Sequence, residues 1–274
     1  MQKYVEQCRK CEMIHIVPMQ FVWPKEDLVR ADKELDMPLV DLEGFIRGDE
    51  EATQQASKLI RTACLNHGFF QVINHGIDLR LITTAYDHMD ALFKLPIDKK
   101  LRASRTPGTM WGYSNAHADR FSSKLPWKET FSFPFLDNSL EHVVTNYFKS
   151  TLGQNFEATG GVYQKYCEAM KDLCLKIMEL LAISLGVDRL YYRNFFEGGC
   201  SIMRCNYYPC CEEPSLVLGT GPHCDSTSLT LLHQDQVGGL EVFADNKWQT
   251  VPPHSEAFVI NIGDTFTALS NGKY

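Results

Sequence analysis

Apolar residues along this chain recur with two different periods, and the change from one to the other divides it. Ala52, Ala56, Leu59, Ile60 and Ala63 follow the helical repeat, which predicts a helix over Glu51–Asn66 with Gly68 just past its end. Phe69–Ile73 reads as a strand closed by the turn Asn74-His75-Gly76. Asp78 is placed to cap a second helix, whose stripe of Ile82, Ala85, Met89, Leu92 and Phe93 runs until Pro96. The longest stripe predicts a helix over residues 161–185, stopped by Gly186.

After about residue 198 the pattern shortens. Ser201–Tyr208, Ser228–Gln234, Leu240–Ala244, Lys247–Thr250 and Phe258–Ile262 are short strand-like runs separated by Gly and Pro. Such spacing predicts an antiparallel sandwich or barrel, so helices come first and a closed sheet follows. Two Pro-punctuated segments, Val17–Pro24 and Met37–Leu42, precede this as an arm and a short strand. Residues 101–139 keep no sustained period. The expected organisation is an N-terminal helix-and-strand region over 36–140, the long helix, and a β core over 198–274.

Composition narrows the function classes. The chain has 274 residues, 44% apolar and 22% charged, with a formal net charge of −7. That charge disfavours a nucleic-acid surface, and no apolar run approaches the length of a membrane span or forms a secretory leader. The expectation is a cytoplasmic monomer without nucleic-acid or membrane partners. Ten cysteines in such a chain read as free thiols rather than a disulfide framework. Cys8 and Cys11 form a CxxC with no second pair at zinc-finger spacing.

Gly221-Pro222-His223-Cys224-Asp225 carries the most specific chemistry. Within a strand, residues i and i+2 share a face, so His223 and Asp225 can reach one metal ion. Two imidazoles and a carboxylate with open positions suit an oxygen-activating Fe(II) centre, and two of those three donors are visible. A histidine merely held by its neighbouring aspartate is the alternative. Arg204, Asn206 and Tyr208 alternate along the preceding strand and offer polar groups to a small carboxylate, or pack as ordinary strand residues. Trp127 and Lys128, in Leu125-Pro126-Trp127-Lys128-Glu129-Thr130, offer apolar area and a cation for an acidic ligand. Surface pairing and packing explain them nearly as well. Asp264 reads as a turn residue, His233 as a packed histidine, and His254 as a solvent-facing one.

Asn206–Pro209, Gly219–Gln236, Gly238–Val242 and Leu125–Thr130 together resemble the plant 2-oxoglutarate- and Fe(II)-dependent dioxygenases, in particular the gibberellin 20-oxidase branch. The resemblance implies a mostly β protein with N-terminal helices and a distorted double-stranded β-helix (jelly-roll) core. It also implies His223 and Asp225 as iron ligands, Asn206 and Tyr208 as 2-oxoglutarate contacts, and Trp127 and Lys128 near a diterpenoid acid. Fe(II), 2-oxoglutarate and O2 would be required, with ascorbate as reductant, to oxidise C20 of a gibberellin. A 3- or 2-oxidase of the same superfamily is the alternative reaction. The family's third ligand histidine and its Arg-x-Ser fall beyond Tyr274. A truncated chain with a core incomplete at its C-terminus is therefore expected, and an inactive fragment is the alternative from another class.

Overall fold

The computed structural model describes residues 17–106, 108–116, 124–136 and 142–274. The Cys8–Cys11 pair lies outside them. In chain order the elements begin with β1 (Leu39–Asp41), α1 (Glu43–Arg47), α2 (Glu50–Asn66), β2 (Phe69–Ile73), α3 (Leu79–Phe93) and α4 (Ile97–Lys100). Then come β3 (Gly112–Asn115), β4 (Glu129–Leu136), α5 (Val143–Leu152), α6 (Glu157–Leu185) and α7 (Tyr191–Phe196). The last stretch holds β5 (Cys200–Tyr207), β6 (Leu229–Leu232), β7 (Leu240–Ala244), β8 (Lys247–Val251), β9 (Phe258–Ile262) and α8 (Asp264–Leu269). Among the described residues no helix is long and apolar enough to cross a membrane.

Two of the helices start where a side chain takes up an orphan N–H group. Asp49 caps α2 by accepting from Ala52 N at 3.1 Å, and Asp78 caps α3 by accepting from Arg80 N at 2.9 Å. Helix α6 begins four residues earlier than the pattern predicts, running through Gly160 and Gly161. The reason is helix packing. A Cβ on Gly160 would lie 2.7 Å from the Thr145 Cα of α5, so the glycine lets two backbones touch rather than ending a helix. Gly186 does end α6, at φ 74°.

Among the described residues three sheets form, in the orders β1-β2-β9-β6, β3-β4-β5 and β7-β8. In the first, β2 pairs antiparallel with β9 through Phe70↔Ile260, and β9 pairs with β6 through Leu231↔Ile260. A strand from the N-terminal helical region is thus built into the sheet of the C-terminal third. Asp245 and Asn246, at φ 52° and 61°, turn β7 into β8. Phe70, Phe131, Phe133, Phe148, Phe258 and Phe266 are fully buried and join sheets and helices into one main core.

The sheets are open, which corrects the closed sheet read from the strand spacing and is consistent with the distorted, incomplete double-stranded β-helix core that the resemblance implies. Between β5 and β6 the Gly- and Pro-rich residues 208–228 make no ladder, so nothing there joins the three-stranded sheet to the four-stranded one. The turn after β9 leads into helix α8 and not into another strand. Seven described cysteines are free thiols, as expected, but Cys210 is disulfide-bonded. Burial pushes the Cys64 thiol up to about 12, making it inert at neutral pH.

Candidate functional site

His223 and Asp225 do not lie in a strand. They sit in the irregular segment just before β6, after Gly219, Gly221 and Pro222 have broken the chain direction. Their side chains nevertheless face each other, with His223 Nε2 3.6 Å from Asp225 Oδ1. The His223 Nδ1–H donates to the Gly221 carbonyl at 2.9 Å, which fixes the tautomer and leaves the Nε2 lone pair for a ligand. The imidazole is more than half exposed, so the site is open on that side.

Asp225 is held by the strand that follows it, β6, and by β9, which is distant in sequence. Thr230 Oγ1 donates to its Oδ2 at 2.6 Å and Asn261 Nδ2 to the same oxygen at 3.1 Å. Burial alone would push this carboxyl up. The two hydrogen bonds, with the charge of Arg204, outweigh it and hold the group below the usual carboxylate range. Oδ1 is thus kept anionic on the side that faces His223.

The turn after β9 fixes the backbone beneath these residues. Gly263 N donates to Ser228 O, Asp264 N to Asp225 O at 2.8 Å, and Thr265 Oγ1 to Ser226 O at 2.6 Å. A Cβ on Gly263 would stand 2.0 Å from Thr227 O and 2.8 Å from Asp225 O, so only glycine fits. Asp264 therefore serves this loop through its backbone N–H. Asn261 and Gly263 were not assigned to the site from sequence. Their signal is the run Asn261-Ile262-Gly263-Asp264 directly after an apolar strand.

Strand β5 presents its polar face nearby. Met203, Cys205 and Tyr207 turn to the core, and Tyr207 stacks on Phe93 at 5.3 Å. Alternation puts Arg204 and Asn206 on the other side. Arg204 Nε donates to Ser132 Oγ at 3.2 Å, and its charge reaches Asp225. Asn206 is exposed and Tyr208 is half exposed. The Tyr208 ring lies against Gly219, where an added Cβ would meet it at 2.7 Å.

Trp127 and Lys128 are less open than an exposed cation and indole would be. Lys128 is only 9% exposed and its Nζ donates to Thr220 Oγ1 at 3.2 Å. The Trp127 Nε1–H donates to Pro209 O at 3.0 Å. Elsewhere His233 packs as expected, bonded to Tyr86 Oη at 2.8 Å and lying against Phe258. His254 is exposed.

The donor set fits a ferrous ion in kind: one imidazole nitrogen and one ionised carboxylate oxygen, flanked by small polar residues. With metal–ligand bonds of about 2.1 Å, one cation can touch two donors up to about 4.2 Å apart, and 3.6 Å lies inside that limit. Among the described residues no group of three His, Cys, Asp or Glu side chains could hold a metal.

Residues 199–274 match the model of the 2OG-Fe(II) oxygenase superfamily, and residues 37–149 that of the non-haem dioxygenase in morphine synthesis N-terminal family. The chain is 58% identical over 259 residues to gibberellin 20 oxidase 2 of Oryza sativa, covering 94% of itself and 67% of that protein. It is 53% identical to gibberellin 20 oxidase 3 of Arabidopsis thaliana, covering 95% of itself and 69% of the relative. It therefore spans about two thirds of their length. Among solved structures it is similar to JOX2 in complex with 2OG, Fe and JA, with TM-score 0.79 and 30% identity over 98% of this chain and 75% of that one. It is also similar to dioxygenase for auxin oxidation 1 from Arabidopsis thaliana, with TM-score 0.72 and 28% identity over 86% and 83%.

Proposed function

The chain belongs to the plant 2-oxoglutarate- and Fe(II)-dependent dioxygenases, and from that premise we propose that it carries the gibberellin 20-oxidase activity of its relatives. The substrate is a C20 gibberellin, a small diterpenoid acid, oxidised at C20 towards a C19 product. The observation that carries this reading is the facing pair of His223 Nε2 and Asp225 Oδ1, set in a chain more than half identical to gibberellin 20 oxidases.

In this reading His223 and Asp225 contribute two of the protein ligands to Fe(II). Bound there with 2-oxoglutarate and O2, and kept reduced by ascorbate, the ion supplies the oxidation of an unactivated C–H bond. The protein's own task is to present the donors in the right state. Gly221 holds the imidazole in the tautomer that offers Nε2. Thr230 and Asn261 keep Asp225 ionised and stop its carboxylate from rotating. Asn206, on the exposed side of β5, and Tyr208, just past its end, hydrogen-bond the 2-oxoglutarate. The reading takes the chain as a cytoplasmic monomer, and its net charge of −7 disfavours polyanionic partners.

The test is to incubate the chain with Fe(II), 2-oxoglutarate, ascorbate and either a C20 or a C19 gibberellin, following succinate and the oxidised product. Succinate coupled to C20 oxidation is the expected result. Hydroxylation at ring positions 2 or 3 of the C19 compound would assign a different gibberellin oxidase, and no binding of Fe(II) or 2-oxoglutarate would remove the assignment for this chain.

A further inference from the structure

Between Tyr208 and Ser228 the chain forms no helix or strand, yet this stretch delivers both of the donors that face each other. Ordering so long an irregular segment is costly unless contacts outside it fix its path. The Pro126-Trp127-Lys128 turn provides such contacts at three points. Trp127 donates its indole N–H to Pro209 O at 3.0 Å, where the segment begins, and its backbone N–H to Leu218 O at 2.8 Å. Lys128 Nζ then meets Thr220 Oγ1 at 3.2 Å. Thr220 immediately precedes Gly221, whose carbonyl accepts the His223 Nδ1–H.

The turn is itself held from behind by the N-terminal arm. Trp23 donates its indole N–H to Leu125 O at 3.2 Å and its backbone N–H to Leu216 O at 2.9 Å. Phe21 packs edge-on against the Trp127 ring at 5.1 Å. The arm therefore touches both the turn, at Leu125 and Trp127, and the donor segment itself, at Leu216.

Resting on the reading of His223 and Asp225 as metal ligands, we infer that Trp127 and Lys128 are positioning residues, which set the His223 ring through Thr220 and Gly221 rather than by touching the substrate. Burial supports this. An ammonium withdrawn from water needs acceptors close by, and the Thr220 hydroxyl is one of them. A cation kept to receive a dissolved acid would instead project into the open side of the site.

The inference separates Thr220 from the substrate and so can be tested there. Lys128→Met, Thr220→Val and Thr220→Ser are made in the whole chain. Three quantities are read: amide exchange over residues 216–223 with β7–β8 as internal reference, Co2+ affinity, and affinity for a C20 gibberellin acid. Lys128→Met and Thr220→Val should each speed loop exchange about tenfold, the scale of one lost charge-assisted hydrogen bond. Both should weaken Co2+ binding, with the hairpin and the gibberellin affinity unchanged, and Thr220→Ser should behave as the parent. Lower gibberellin affinity in Lys128→Met alone, with loop exchange unaltered, overturns the inference in favour of a substrate contact. If the parent chain fails to bind Co2+, the metal reading fails, while the exchange measurement still decides the brace.

Discussion

Thr230 and Asn261 sit opposite each other in the β6–β9 ladder and donate to the same oxygen of Asp225. One cross-strand pair therefore puts two donors on a single carboxylate oxygen, Thr230 from five residues along the chain and Asn261 from 36. Replacing Asn261 with Leu removes one donor and leaves the strand apolar. Metal affinity, read by Co2+ titration, should drop about 10- to 100-fold, as for other groups that orient a metal ligand. An unchanged affinity would show that Thr230 alone suffices.

His223→Ala should abolish metal binding at this site without unfolding the chain. The side chain is more than half exposed, so its loss leaves no cavity. Retained Co2+ affinity, alongside a native far-UV spectrum, would sink the ligand assignment.

Gly263→Ala places a methyl group 2.0 Å from Thr227 O. Backbone on both sides must separate, at a cost of about 1–3 kcal/mol by analogy with overpacked cores. Urea unfolding should show that loss. A midpoint equal to the parent's would mean that the donor loop shifts freely.

Beneath β4 lies a buried ion pair. Lys100 Nζ meets Glu129 Oε2 at 2.5 Å, and the Tyr113 hydroxyl donates to the same oxygen at 2.6 Å. Burial and the Glu129 charge both push the Tyr113 phenol up, so it stays a donor. Glu129→Ala leaves a buried ammonium with one partner fewer and should cost about 3–5 kcal/mol in chemical unfolding. A loss below about 1 kcal/mol would place the pair with weak exposed bridges.

Acid should weaken the fold through two histidines packed on Phe258. Burial lowers the folded-state values of both His75 and His233. The unfolded chain, with histidines near pH 6.5, binds protons that the folded one refuses. Their contribution is full above about pH 6.5 and fades as the pH falls through the unfolded value towards the folded ones. His233→Gln should flatten the fall in thermal stability between pH 7 and pH 5. A slope identical to the parent's would exclude His233 as a contributor.

Local patterns were legible, and partners brought close by folding were not. The stripes of α2 and α3 and the capping role of Asp78 follow from neighbouring residues. So does the facing of His223 and Asp225, although a loop and not a strand achieves it. Lys128 reads from sequence either as a cation for an acidic ligand or as a paired or packed residue, and neighbouring residues do not decide between the two. Its partner Thr220 is 92 residues away. The first turn of α6, with Gly160 and Gly161, is not visible in the apolar stripe, and only the passage of α5 shows Gly160 to be a contact point. Asn261 lies 36 residues from Asp225, and its bond to that carboxylate becomes visible only once β9 pairs with β6.

Because β2 is one of the two neighbours of β9, the segment carrying the donors is not a transplantable module. Residues 199–274 grafted elsewhere would bring the donors but expose Ile260 where Phe70 had covered it. Any minimal version of this catalyst must therefore retain the strand at Phe69–Ile73, some 150 residues upstream of the chemistry it supports.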